Sequence, residues 1–185
     1  SELIVRLVEN GVASKAFDQS QVGDSFEFKG PFGHFVLSET PDSHLVFCAT
    51  GTGIAPFRGM IQTEAAKENP RPMTLLYGGR NPEDIAYLGE IKDWASNLDV
   101  QLAFSQIDTI ESLDTINLPG KIHKGRITDL LSSPPGKNES EGISLTNCRS
   151  TEFYLCGNGD MVMSVQEILA TEGVGKEQIF LERFN

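Results

Sequence analysis

The sequence predicts an α/β protein in two unequal parts. Antiparallel β strands are expected over residues 1–40, followed by an open parallel sheet with helices on both faces over residues 41–185. Three observations carry this expectation. From Pro41 onward, short apolar runs of strand length alternate with stretches of helical periodicity, the pattern of a parallel sheet joined by crossover helices. Two of those runs end in glycine-rich turns that lead into a helix. The first forty residues lack this rhythm and read as extended segments broken by turns.

The elements follow in order. Leu3 to Val8 is rich in β-branched residues and reads as a strand. Gly11 to Ser14 leads into a short helical turn ending near Gln19. Ser25 to Lys29 alternates as a half-buried strand does, with Phe26 and Phe28 on one face, and His34 to Leu37 resumes after Gly30-Pro31-Phe32-Gly33. Three such strands cannot close a barrel. In the second part, strands are expected at 44–49, 73–77, 100–105, 153–156 and 179–184. Helices are expected at 54–67, 85–97, 125–131 and 160–171. Residues 132–150, rich in Ser, Pro and Gly, read as a surface loop.

Composition excludes several classes. Apolar residues make up 39% and charged residues 22%, as in an ordinary globular protein. No stretch approaches the roughly 20 apolar residues of a membrane span, and no leader pattern is visible. A net charge of −11 disfavours nucleic acid, whose phosphates need clustered Lys and Arg. Cys48, Cys148 and Cys156 are too few and too dispersed for a disulfide framework, zinc site or iron–sulfur cluster. His34, His44 and His123 have no carboxylate or cysteine spacing that suggests a metal, and read as surface or packing residues. These features point to a reducing, cytoplasmic setting.

The strongest local signal is Cys48-Ala-Thr50-Gly51-Thr52-Gly53-Ile-Ala-Pro56. Glycines allow a sharp turn and a close approach of ligand to backbone, while Pro56 suits a first helical turn. The helix N-terminus then offers amides and partial positive charge to a phosphate. A lone Gly-x-Gly is more often a plain tight turn, and the third glycine of the dinucleotide fingerprint is missing. A second loop, Cys156-Gly157-Asn-Gly-Asp160-Met161, repeats the arrangement after a later strand. In an open parallel sheet ligands bind beyond the carboxyl ends of strands, so both loops can face one crevice. Cys156 would stand at its lip, although a single cysteine is commonly just a small buried apolar residue.

Five motifs occur in order: Gly30-Pro31-Phe32-Gly33, Thr50 to Pro56, Tyr77-Gly78-Gly79-Arg80, Gly125-Arg126-Ile-Thr-Asp129 and Cys156 to Met161. In sequence and spacing they resemble the ferredoxin–NADP reductase superfamily over almost the whole chain. Segment 125–130 is similar to bacterial ferredoxin or flavodoxin reductases, and 77–84 to oxygenase reductases and other electron-transfer subunits.

The resemblance implies a flavin-binding β-barrel, of which residues 1–40 would be the C-terminal remnant, and an NAD(P)-binding domain over 41–185. Gly11, Val12 and Ser14 would sit at the FAD pyrophosphate, and Thr50, Gly51, Thr52, Gly53 and Pro56 at that of NAD(P)H. Cys156, Gly157 and Met161 would border the nicotinamide, where hydride passes to the flavin, with Cys156 shaping and polarising the site. Glu182 and Phe184 resemble the family's closing Glu and aromatic residue. Packing of Phe184 on the sheet is an equal alternative to its covering the flavin. The family's Arg-x-Tyr-Ser/Thr flavin motif is missing, so the chain is expected to be a piece of a longer protein and to hold no flavin alone. The flavin itself could be FAD or FMN.

Coenzyme choice rests on few residues. Arg80, Arg126 and the basic run Lys121–Arg126 suit a 2′-phosphate, while Gln106 after Ser105 stands where many NADP-using members carry Arg. The balance leans to NADPH. The implied activity is hydride transfer from NAD(P)H to flavin, with electrons passed on to a one-electron redox protein or fused redox centre. A non-catalytic nucleotide-binding or regulatory subunit is the alternative. Residues 1–41 carry three basic against six acidic residues and the remainder twelve against twenty, so an acidic partner would need basic surface from elsewhere. Unpaired strand edges in residues 1–40 make a dimer an expected by-product.

Overall fold

The computed structural model describes residues 2–30, 32–113, 117–131 and 150–184. Its centre is a six-stranded sheet, every pair parallel: β1 (His44–Thr50), β2 (Met73–Gly79), β3 (Leu98–Phe104), β4 (Lys121–Lys124), β5 (Thr151–Asn158) and β6 (Ile179–Phe184). The spatial order is β4-β3-β2-β1-β5-β6. The chain therefore builds outward from β1 to one edge, then returns to β1's other side with β5. That reversal makes the β1/β5 boundary the topological switch point.

Alternation along β1 assigns the two faces. Leu45, Phe47 and Ala49 turn toward helix α2 (Ile54–Ala65), where Phe57, Met60 and Ile61 pack beside Tyr77, Phe104, Ile91 and Trp94. Val46 and Cys48 turn the other way, onto α3 (Ile127–Leu131) and α4 (Gly159–Thr171), through Leu130, Val162, Val165 and Leu169. Strands buried on both faces must be apolar at almost every position, and β1, β2 and the middle of β5, Phe153 to Cys156, are.

Three expectations are corrected. The segment expected as a helix over 85–97 contains none: Tyr87 sits at φ 61° and only short 3-10 turns flank it, at Pro82–Asp84 and Ile91–Asp93. Its helical periodicity was real only in that Ile85, Ile91 and Trp94 are all buried; irregular chain reaches the same core. Conversely, Lys121–Lys124, expected only as part of a basic run, is the edge strand β4. Charged ends suit an edge, and such a strand gives no apolar run to detect. Thirdly, none of the segments 3–8, 25–29 and 34–37 forms a strand ladder among the described residues. A strand needs a hydrogen-bonded partner, and Leu3, Val5, Leu7 and Phe28 remain exposed. The short helical turn before Gln19 is present as Val12–Asp18. Pro31, Cys148 and the loop expected over 132–150, apart from Ser150, lie outside the described residues.

Residues 34–43 are nonetheless fastened to the sheet. Phe35 packs against Phe57 and Tyr154. The Ser38 hydroxyl donates to the Glu152 carboxylate at 2.6 Å, and Tyr154 Oη accepts from Ser38 N–H at 2.9 Å. Buried Arg71 donates to the Thr40 carbonyl at 3.0 Å and pairs with fully buried Glu64 at 2.7 Å. The Ser38 and Arg71 contacts lie at the amino ends of β5 and β2.

Candidate functional site

A cleft of about 1130 Å³ opens beyond the carboxyl ends of β1, β2, β3, β4 and β5. Seven residues expected to hold coenzyme line it: Thr50, Gly51, Thr52, Arg80, Ser105, Arg126 and Met161. Ile4, Val5 and Arg6 also reach its wall, which places the N-terminal segment beside the sheet's open end.

The two glycine loops are packed directly on one another. Gly157 has φ +143°, and a Cβ there would come within 2.4 Å of Thr50 Oγ1. That hydroxyl accepts the Asn158 N–H at 3.2 Å, tying the end of β1 to the end of β5. Asn158 in turn accepts from Asp160 N–H at 2.8 Å and caps α4. Gly53 is buried against the Cys156 carbonyl, and Pro56 lies in the first turn of α2 rather than in the cleft wall. Gly51 adopts φ +55° with nothing within 4 Å of a Cβ position, so its backbone is open to an incoming group.

Tyr77 supplies a brace that sequence reasoning missed. Its hydroxyl donates to the Gly51 carbonyl at 2.8 Å and accepts the Ala86 N–H at 3.1 Å, joining the loops after β1 and β2. Burial pushes the phenol up to about 12. A tyrosine immediately before two glycines at a strand's end was the available signal.

The arginines differ in availability. Arg80 is forked onto Asp84, with Nε–Oδ2 at 3.1 Å and Nη2–Oδ1 at 3.3 Å. Asp84 Oδ2 also accepts the backbone N–H of Arg80 at 2.9 Å. The Arg80 guanidinium beside it holds the Asp84 carboxyl below the usual range. Arg126 is exposed, and its guanidinium has no ion pair among the described residues. Its backbone N–H donates to Asp129 at 2.7 Å.

Cys156 is not at the lip. It is fully buried on the α2 face and does not line the cleft. Burial, with a smaller contribution from Glu182, pushes its thiol up to about 12. β5 runs two residues past its expected end, to Asn158, so Cys156 lies inside the strand rather than at its lip and its side chain turns into the α2 face. Glu182 pairs with Cys156 in the β5–β6 register and lines a second groove, of about 620 Å³, with Phe32, Phe35 and Phe180. Phe184 pairs with Asn158 in the same register and is 41% exposed, so it is not packed away. At the other end of the chain Gly11 precedes the short helix, Val12 is exposed, and the buried Ser14 hydroxyl accepts the Val8 N–H at 2.9 Å. None of these three lines the cleft. Among the described residues no group of three or more His, Cys, Asp or Glu could hold a metal.

Two family models match: "Oxidoreductase NAD-binding domain" over residues 47–167 and "Oxidoreductase FAD-binding domain" over residues 1–37. The reductase component of propane 2-monooxygenase from Mycolicibacterium smegmatis is 29% identical over 186 residues, covering 99% of this chain and 50% of that protein. The 2-halobenzoate 1,2-dioxygenase electron transfer component of Burkholderia cepacia is 30% identical over 184 residues, covering 98% and 49%. Among solved structures, Amycolatopsis cytochrome P450 reductase GcoB superposes with a TM-score of 0.76 at 24% identity, covering 97% of this chain and 50% of that one. A ferredoxin NADP+ reductase from Neisseria gonorrhoeae gives 0.67 at 22%, covering 96% and 71%. At those identities the structures show a shared fold. The chain spans about half the length of the curated relatives it matches.

Proposed function

The chain belongs to the oxidoreductase NAD-binding domain family, and we propose that it is the NAD(P)H-binding part of a flavin-dependent reductase that feeds electrons to a redox partner. The family membership accords with the ferredoxin reductase-like likeness of the five motifs. The observation that carries the functional reading is the cleft at the switch point, walled by two interlocked glycine loops. Its volume admits a dinucleotide, since small-molecule pockets commonly measure about 300–1,000 Å³. Gly51 and Thr52 offer backbone amides before α2 to a pyrophosphate. Met161 gives the α4 end an apolar wall.

NAD(P)H, when bound, supplies the hydride and the flavin of the complete protein receives it. Cys156 then acts from beneath the loop, by setting the position of Gly157, and Glu182 sits on the neighbouring strand in register with it. The exposure of Phe184 at the end of β6 supports a role for it in covering a ring system at that end. The assignment of Gly11, Val12 and Ser14 to the flavin pyrophosphate rests on the motif likeness. The division near residue 40 is supported by the separate matches of the two family models.

The relatives named above are reductase or electron-transfer components, which supports a one-electron redox protein or fused redox centre as acceptor. A cytoplasmic setting fits two buried free thiols and the absence, among the described residues, of a helix long and apolar enough to cross a membrane. Dimerisation through residues 1–40 would use their exposed apolar side chains, Val22 and Phe32 among them, rather than strand edges. Sequence considerations leaned to NADPH, but Arg80 is occupied by Asp84, so that preference would rest on Arg126 and the basic run Lys121–Arg126 that it ends.

Calorimetric titration of the 185-residue chain with NAD⁺ and NADP⁺ tests the reading. Binding of at least one coenzyme, weakened by Gly51→Val, is expected; failure of both to bind overturns it. A complete protein that binds coenzyme yet takes up no flavin would favour a regulatory nucleotide-binding subunit.

A further inference from the structure

We propose that Asp84 is a specificity-determining residue that makes the cleft a site for NADH rather than NADPH, by keeping Arg80 from an incoming phosphate. The inference rests on the nucleotide-binding reading and deepens it. The two coenzymes differ by one 2′-phosphate, a group of close to two negative charges near neutral pH. What the cleft offers that group is a question of uncommitted positive charge.

Arg80 stands on the cleft wall at the end of β2, where a guanidinium would be well placed to fork onto a phosphate. Its fork is already filled by a carboxylate four residues on. Asp84 is not a swinging partner. Its Oδ2 accepts backbone N–H groups from Arg80 at 2.9 Å and Asn81 at 3.4 Å, so the carboxylate belongs to the turn itself. The Arg80 backbone is pinned too, because its carbonyl accepts the Gln106 N–H at 2.9 Å. For Arg80 to reach a phosphate, the guanidinium must leave an anchored anion and abandon it in the wall.

The surroundings point the same way. The cleft is lined by three arginines against five carboxylates, with Glu83 next to Asp84, Glu167 on the facing helix α4 and Glu172 just past its end. A dianionic substituent entering this field meets net negative charge; of the three lining arginines Arg80 is held by Asp84, while Arg6 and Arg126 carry no ion pair among the described residues. NADH, whose ribose hydroxyl is neutral, avoids that repulsion.

The test is a calorimetric comparison of NAD⁺ and NADP⁺ on the 185-residue chain and three variants. The wild type is expected to bind NAD⁺ at least fivefold more tightly. Asp84→Asn should tighten NADP⁺ about tenfold and leave NAD⁺ within twofold. Asp84→Ser, which keeps an oxygen for the turn's N–H groups, should do the same. Arg80→Ala combined with Asp84→Asn should cancel the gain. An unchanged NADP⁺/NAD⁺ ratio in both single variants overturns the proposal, as does a gain that survives loss of Arg80. If the wild type binds neither coenzyme, the nucleotide-binding reading itself falls, a result distinct from either.

Discussion

Gly53 and the carbonyl of Cys156 are in such close contact that a Cβ on the glycine would lie 2.1 Å from the oxygen. Here the loop leaving β1 presses on the strand β5 at the switch point, and only a residue without a side chain can stand between them. The glycine's first service is therefore to packing, and through packing to the shape of the cleft. Gly53→Ala should destabilise the chain by roughly 2–4 kcal/mol, the scale of severe overpacking against backbone that cannot yield. Gly51→Ala meets no atom, yet is strained by its φ of +55°, at about 1 kcal/mol. Urea unfolding of the two variants should show that order, and equal losses would refute it.

Tyr77→Phe isolates the brace. The ring stays buried, but the Gly51 carbonyl loses its donor and Ala86 N–H its acceptor. A loss of about 1–2 kcal/mol in stability is expected, because two part-buried backbone groups, the Gly51 carbonyl and the Ala86 N–H, lose their hydrogen-bond partner. Coenzyme affinity should fall several-fold, since the Gly51 loop loses its tether. Normal affinity with reduced stability would show that the brace serves the fold alone.

Cys48 and Cys156 both have fully buried thiols pushed up to about 12 by burial. Thiolate is the reactive form, so both should resist iodoacetamide at pH 8 in the folded chain and react once urea unfolds it. Peptide mass analysis reads each site separately. Rapid alkylation of Cys156 in the native chain would return it to the lip of the cleft. For the complete protein, Cys156→Ser is expected to slow flavin reduction at saturating coenzyme more than it weakens binding. An unchanged rate with normal binding would show that Cys156 does not act on hydride transfer through Gly157.

Much of this architecture was legible because its signals are local. Parallel strands such as Leu45–Ala49 are apolar throughout, and both glycine loops announce a strand-to-helix turn. What escaped depended on partners. Whether Leu3–Val8 counts as a strand is decided by a neighbour for its hydrogen bonds, not by its own residues. The Ile85–Trp94 stretch shows apolar spacing without a helix because Tyr87 takes a left-handed conformation that the pattern does not encode. At the site, Arg80 was visible as a cation, but its capture by Asp84 was written only in an i, i+4 spacing on chain that is not a helix. Cys156 was expected at the end of its strand, but β5 runs on to Asn158, which leaves the thiol inside a sheet face.

The buried pair Glu64–Arg71 sets a last prediction. Arg71 donates to Glu64 from its side chain at 2.7 Å and from its backbone N–H at 3.0 Å, and Lys67 adds a third donor at 2.7 Å. Those donors outweigh desolvation and lower the Glu64 carboxyl from 4.5 to about 2. With the folded value below the unfolded one, the charged form stabilises the fold. That stabilisation is complete above about pH 4.5 and is lost as pH falls toward 2. A shift of this size corresponds to roughly 3 kcal/mol. Glu64→Gln should lower stability at pH 7 by about 3 kcal/mol, since removing one member leaves Arg71 charged in a buried site with only Glu152, at 3.7 Å, for an ionic partner among the described residues. Urea unfolding at pH 7 and pH 3 should show the gap between wild type and variant narrowing on acidification. A gap that stays constant would mean that the carboxylate's charge contributes nothing beyond its shape.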